Sequence, residues 1–141
     1  LDSPCQTLIC PVNTVGVMGA GLALAMHKRF KGLLFNYRKA CLTGKLTIDT
    51  LWVYPLRLLN QPNKQILCFP TKEHWKKPSK IEWIDNNLMH VRLYYQELGI
   101  TSLALPMIGS GLGCLDWETQ VRPLVYKHLE DLPIDIVVYG P

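Results

Sequence analysis

Short apolar runs bounded by turn-forming residues alternate along this chain with stretches in which apolar positions recur every three or four residues, so strands and helices alternate. The run Leu8-Ile9-Cys10 marks a strand over 7–12. Leu22, Ala23, Met26 and Phe30 then fall at helical spacing and predict a helix over 22–30; the pattern resumes over 33–42, with Gly44 as its stop. Residues 50–59 and 65–69 are rich in β-forming side chains and flank Asn60-Gln61-Pro62-Asn63, which predicts a hairpin. Ser79-Lys80-Ile81-Glu82 has the S-x-x-E form of a capping box, in which the serine hydroxyl and the glutamate carboxylate take up N–H groups left unpaired at a helix start. It places that start just after Pro78; Ile84, Leu88, Val91, Tyr95 and Leu98 make the helix's apolar face and Gly99 its end. A buried strand over 101–105 closed by Pro106, a helix over 117–129 capped by Asp116, and a last strand over 134–139 complete the pattern.

Such alternation, without an internal repeat or low-complexity linker, predicts one layered α/β domain over residues 1–141. A chain of 141 residues, 48% hydrophobic and 18% charged, is not disordered and buries a core without disulfide or metal staples. No apolar run approaches the ~18 residues that cross a bilayer, so no membrane association is expected, and Leu1-Asp2-Ser3-Pro4 shows no leader pattern. Five cysteines without a C-x-x-C pair predict reduced thiols and a cytoplasmic setting, with Cys10 and Cys68 as packing residues. His27, His74, His90 and His128 are scattered off any ligand spacing, and Asp116 and Glu118 read as a helix cap and first-turn residue, so neither a metal, a cofactor nor a carboxylate pair is expected.

The formal charge of +4 suits an anionic ligand, and its distribution says more than its sum. Basic residues gather in His27-Lys28-Arg29-Phe30-Lys31, which a solvated helix face explains equally well, and in the stretch from Lys72 to Lys80, where Trp75 lies among the lysines. Cations interleaved with an aromatic suit single-stranded nucleic acid, through phosphate contacts and base stacking, and make His74, Trp75 and Lys76 candidate contacts.

The most specific chemistry sits where apolar strands end. Asn13-Thr14-Val15-Gly16-Val17-Met18-Gly19-Ala20-Gly21-Leu22-Ala23 follows the first strand and leads into a helix. Its glycines let successive N–H groups converge on an anion at the helix's positive end, and the Asn13 amide suits ribose hydroxyls. A tight turn before a helix would use the same glycines. The spacing is not that of a G-x-x-x-x-G-K-[ST] loop, and it reverses the dinucleotide G-x-G-x-x-G. A second such loop, Pro106-Met107-Ile108-Gly109-Ser110-Gly111-Leu112-Gly113, ends a later strand; two loops together can clamp one diphosphate from both sides. A third strand end, Phe69-Pro70-Thr71-Lys72-Glu73-His74-Trp75, delivers Thr71 and Lys72 to the same edge. A lysine amine that has lost its proton attacks electrophilic carbon; a phosphate partner or a solvated side chain is the alternative for Lys72.

These three segments, in this order and together with Ser79 and the continuation Cys114-Leu115-Asp116-Trp117, resemble the macrodomain family over essentially the whole chain. Within it they are similar to the branch of the terminal ADP-ribose protein glycohydrolase and the antitoxin that removes ADP-ribose from DNA. The resemblance implies a three-layer α/β/α fold around a mixed, mainly parallel sheet, with ADP-ribose in a cleft above it. It implies ADP-ribose contacts at Thr14, Gly16, Val17, Met18, Gly19, Ala20, Gly21 and Leu22, at Thr71, and at Pro106, Ile108, Gly109, Ser110, Gly111, Leu112 and Gly113. Asn13 then meets the distal ribose and the modified group, and Lys72 catalyses hydrolysis at the anomeric carbon. The protein-directed member adds an aspartate where this chain aligns Gly113, so the DNA-directed reading fits better: an antitoxin-like glycohydrolase, expected to be monomeric, acting on ADP-ribosylated single-stranded DNA and neutralising a cognate ADP-ribosyltransferase toxin. An ADP-ribose reader without turnover and a hydrolase of glutamate-linked ADP-ribose remain as alternatives. The family's adenine contact precedes the first strand, where Asp2 takes that place or the chain starts downstream of it, with further domains able to flank this one; Tyr139 is a second adenine candidate, with an ordinary core or edge tyrosine as the alternative.

Overall fold

The computed structural model describes residues 1, 3–111 and 113–140. The elements are β1 (Thr7–Asn13), α1 (Gly21–Arg29), α2 (Leu33–Leu42), β2 (Trp52–Pro55), β3 (Gln65–Lys72), α3 (Ile81–Tyr94), β4 (Ser102–Leu105), α4 (Arg122–Leu129) and β5 (Asp135–Val138). They form a five-stranded sheet in the order β2-β3-β1-β4-β5. β1 runs parallel to β3 and β4, and β4 to β5, while β2 returns antiparallel on β3 as the hairpin pattern predicts. The mixed, mainly parallel sheet is therefore as expected.

Both faces are covered, as parallel strands with short apolar runs require. Side chains alternate: Ile9, Leu67 and Phe69 face a core built with Ile84, Leu88 and Val91 of α3 and Val125 and Leu129 of α4. Leu8, Cys10, Ile66 and Cys68 face the opposite core, with Met26 of α1 and Leu33 and Tyr37 of α2. These are the outer layers of an α/β/α sandwich. Burial pushes the Cys10 thiol up to about 12 and that of Cys68 well above its ordinary value, so both pack as small apolar groups. His128 is buried and hydrogen-bonded to Asp85, Nε2 to Oδ1 at 2.6 Å, tying α4 to α3.

Several predicted boundaries move: β2 spans only Trp52–Pro55 of the strand expected over 50–59, and α3 ends at Tyr94, short of Gly99. Two further changes have a clear local reason. The helix after Pro78 starts at Ile81 with Lys80 as its N-cap and no side-chain cap, so Ser79 does not form the capping box. Ser79 is instead 6% exposed, with its N–H donated to the Gly113 carbonyl at 3.0 Å, which turns its hydroxyl toward the second glycine loop. The helix foreseen over 117–129 is divided into a π-helical turn, Trp117–Val121, and α4. Pro123 has no N–H to continue an earlier helix and fits the first turn of a new one. Asp116 caps this segment as predicted, its carboxylate accepting the Thr119 N–H at 2.8 Å.

One irregularity positions the site. β1 and β3 stay in register from Thr7↔Gln65 to Val12↔Pro70, then shift so that Asn13 pairs with Lys72. The shift falls where Pro70 offers no N–H to the ladder. It carries β3 three residues beyond its predicted end and sets Asn13 and Lys72 side by side at the carboxyl edge.

Candidate functional site

A cleft of about 640 Å³ opens above the carboxyl ends of β1, β3 and β4, and all three predicted segments line it. This is where open α/β sheets bind ligands. Lys72 is the only ionisable side chain among the described lining residues, and no carboxylate is among them. Backbone N–H groups and one lysine therefore define its electrostatics, which suits an anionic ligand.

From the first loop the wall takes Asn13, Val17, Gly19, Ala20, Gly21 and Leu22, and Pro11, Val12 and Ala23 also line it, which the sequence reading had not assigned. Asn13 is 8% exposed and its amide is turned into the loop, not presented whole to a ligand as the pattern implied. Oδ1 accepts the N–H groups of Val15, Gly16 and Val17 at 3.1–3.3 Å, and Nδ2 donates to the Val17 carbonyl at 2.8 Å. One amide hydrogen is left for a ligand. Tyr37 of α2 completes the hub, its hydroxyl donating to the Asn13 carbonyl (2.5 Å) and Oδ1 (2.9 Å). Burial holds that phenol far above its usual pKa, so it stays a donor. Arg38 Nε donates to the Gly16 carbonyl at 3.1 Å, and Gly16, at φ +90°, has Arg38 Cγ 3.0 Å from where a Cβ would stand. Gly16 and Met18 thus lie behind the cleft wall, Met18 in the core.

The second loop contributes Pro106, Met107, Ile108, Gly109, Gly111 and Gly113. Ser110 donates its hydroxyl to the Met107 carbonyl and does not line the cleft; Leu112 lies outside the described residues. Gly109 adopts φ +76°, with Leu115 Cδ1 3.0 Å from where a Cβ would be. At Gly113 a Cβ would overlap the Gly109 carbonyl oxygen and stand 2.6 Å from Ser79 Oγ. No side chain fits there, so the position that carries an aspartate in the protein-directed pattern is sterically closed. Ser79 Oγ is itself buried without a hydrogen-bond partner.

Lys72, half-buried at the end of β3, donates from Nζ to the Trp75 carbonyl at 3.4 Å, which folds the segment over the cleft. Thr71 and Trp75 line the cleft as well, Trp75 while 49% exposed. His74 and Lys76 flank the indole from outside: the His74 ring is stacked on it at 5.3 Å, and Lys76 Nζ stands 5.0 Å from its centre. Thr14 braces the same segment, its N–H on the Lys72 carbonyl (3.1 Å) and its hydroxyl on that of Glu73 (3.2 Å). Tyr139 packs against the same core as α1 and α2, with its hydroxyl buried and without a hydrogen-bond partner among the described residues, while Asp2 lies outside them. Tyr37 and Arg38 are the supports that periodicity missed. A buried tyrosine needs a hydrogen-bond partner, but its spacing does not say that the partner is Asn13.

The model of the Macro domain family matches residues 9–123. The chain is 40% identical over its whole length to a Mycobacterium tuberculosis protein named DNA ADP-ribosyl glycohydrolase, of which it spans 40%. It is 37% identical over 96% of its length to a Thermosipho africanus DNA ADP-ribosyl transferase-DNA ADP-ribosyl glycohydrolase fusion protein, of which 38% is covered. Among solved structures it superimposes on the macrodomain of Mycobacterium tuberculosis DarG with a TM-score of 0.92 at 40% identity, covering 100% of this chain and 92% of that one. On Thermosipho africanus DarTG in complex with ADP-ribose the TM-score is 0.90 at 36% identity, covering 97% and 38%. The chain thus spans about 40% of the length of the curated relatives it matches.

Proposed function

This chain belongs to the Macro domain family, and from that premise we propose that it is an ADP-ribosyl glycohydrolase that removes ADP-ribose from ADP-ribosylated DNA. The observation that carries the reading is that Lys72 is the only ionisable side chain among the described lining residues of a cleft otherwise walled by glycine loops. The loops hold the diphosphate through backbone N–H groups and the positive end of α1. In this reading the distal ribose lies toward Asn13 and Lys72, and their pairing across the β1–β3 register shift supports it. Lys72 serves as nucleophile or electrostatic catalyst at the anomeric carbon. Asn13 positions ribose and base through the loop it organises and its remaining amide hydrogen.

The closed space at Gly113 supports DNA over protein as the modified substrate, because the second carboxylate of the protein-directed pattern has no room. Trp75 and the lysines beside it give a base and its phosphates something to meet. The transferase fused to the Thermosipho relative supports a toxin transferase as the functional partner, and the absence of a disulfide among the described cysteines suits a cytoplasmic setting.

A cleavage assay run side by side on ADP-ribosylated single-stranded DNA and ADP-ribosylated protein, with calorimetric titration of ADP-ribose, tests this. Release from DNA and little from protein is expected. Tight ADP-ribose binding without release from either would make the domain a reader, and equal release from glutamate-linked ADP-ribose would restore the protein hydrolase.

A further inference from the structure

Beyond the cleft, the segment from Trp75 to the first turn of α3 repeats one arrangement. Lys76 Nζ stands 5.0 Å from the Trp75 ring, and Lys80 Nζ stands 5.2 Å from the Trp83 ring. Lys76, Lys77 and Lys80 are exposed, and among the described residues neither they nor Lys72 takes part in an ion pair. Glu82 is the acidic residue of the stretch, against Lys76, Lys77 and Lys80, so it keeps a positive excess. The backbone beneath is fixed: His74 Nδ1 accepts the Lys76 N–H at 3.0 Å, the His74 carbonyl accepts the Lys77 N–H at 3.1 Å, and buried Ser79 is tied to Gly113. At α3 no side chain of the described residues caps the helix start, and of its first N–H groups that of Trp83 is bonded to the Lys80 carbonyl at 3.1 Å, so the positive helix end adds to the favourable field for an anion.

We infer that residues 75–83 form a track for the unmodified part of a single strand, which leaves the cleft over Trp75 and continues to a second base-stacking position on Trp83 beside Lys80. The inference rests on the DNA-directed reading and extends it from one nucleotide to a footprint. Paired ring-and-ammonium units suit a strand in which bases and phosphates alternate: each ammonium exchanges its ring for a phosphate, and each ring face takes a base. An acidic peptide would use the lysines but not the rings. Duplex DNA would use neither ring, since its bases are already stacked.

The test is binding of an unmodified single-stranded oligodeoxynucleotide, followed by quenching of tryptophan fluorescence, together with release of ADP-ribose from a modified nucleoside and from a modified oligonucleotide. Trp83→Leu keeps an apolar side chain and removes the stacking face; Lys80→Glu changes an exposed side chain only. Trp83→Leu is expected to weaken oligonucleotide binding roughly tenfold, and Lys80→Glu to weaken it and lower the salt slope by about one. Both should raise KM for the oligonucleotide substrate and leave release from the nucleoside unchanged. Unchanged binding in both variants, or duplex DNA or oligoglutamate bound as tightly as the single strand, overturns the track. If the variants weaken strand binding but no modified DNA is cleaved, the track stands and the glycohydrolase reading fails.

Discussion

The two glycine loops reach the same cleft by opposite means. The first is organised by a side chain: Asn13 gathers three backbone N–H groups on one oxygen, and Tyr37 and Arg38 hold that hub from α2. The second is held by backbone turns, Leu115 N–H to Gly109 at 2.8 Å and Cys114 N–H to Gly111 at 3.1 Å, and by fit, since Gly113 touches its surroundings where any Cβ would stand. A loop tied by hydrogen bonds fails when a partner is deleted, and one shaped by close contact fails when atoms are added. Opposite kinds of substitution therefore separate them.

The largest effect is expected for Asn13→Ala. It strands three loop N–H groups and the Val17 carbonyl, while Tyr37 keeps the Asn13 main-chain carbonyl, and at roughly 1–3 kcal/mol for each group left buried and unpaired the loop loses its geometry. Urea unfolding should show several kcal/mol of destabilisation, with ADP-ribose binding lost in parallel; a near-neutral Asn13→Ala would mean that the hub does not hold the loop. Next comes Gly113→Ala, a single added carbon, expected to cost about 1–3 kcal/mol of overpacking and to weaken ADP-ribose roughly 10–100-fold by calorimetry. Gly113→Asp should do the same without conferring activity on protein-linked ADP-ribose; a gain of that activity would show that the loop can open to admit a carboxylate.

Tyr37→Phe keeps the ring and deletes only the donor to Asn13, so about 1–2 kcal/mol of stability should be lost, with the deficit seen at the first loop's amides in hydrogen exchange and not at the second's. Ser79→Ala should be the smallest, neutral or slightly stabilising by thermal melting, because the hydroxyl it removes is buried without a partner. A clear loss of stability there would assign that hydroxyl a partner in the second loop.

These contrasts also mark what the sequence makes legible. Strand ends, glycines and the order of the three segments are local patterns, and they meet at the cleft, with Gly16 behind its wall. The hairpin and the buried strands follow from the apolar runs Leu8-Ile9-Cys10 and 65–69, whereas the sheet order β2-β3-β1-β4-β5 is not fixed by any local pattern. The Asn13 hub is not local: Tyr37 reads as one more apolar helix position, and its partnership depends on how α2 packs. Ser79 shows the converse, a local capping signal overridden because a distant loop claims the residue. The β1–β3 register shift that sets Asn13 beside Lys72 involves Pro70, whose place in a strand is visible only once its neighbour is known.

The central claim is that the loops bind and Lys72 converts binding into turnover. Lys72→Ala, assayed for release of ADP-ribose from modified single-stranded DNA and titrated with ADP-ribose in the same buffer, tests it most directly. The rate should fall by about three powers of ten or more while ADP-ribose affinity stays within a few-fold of the parent. Release as fast as the parent's would contradict the account.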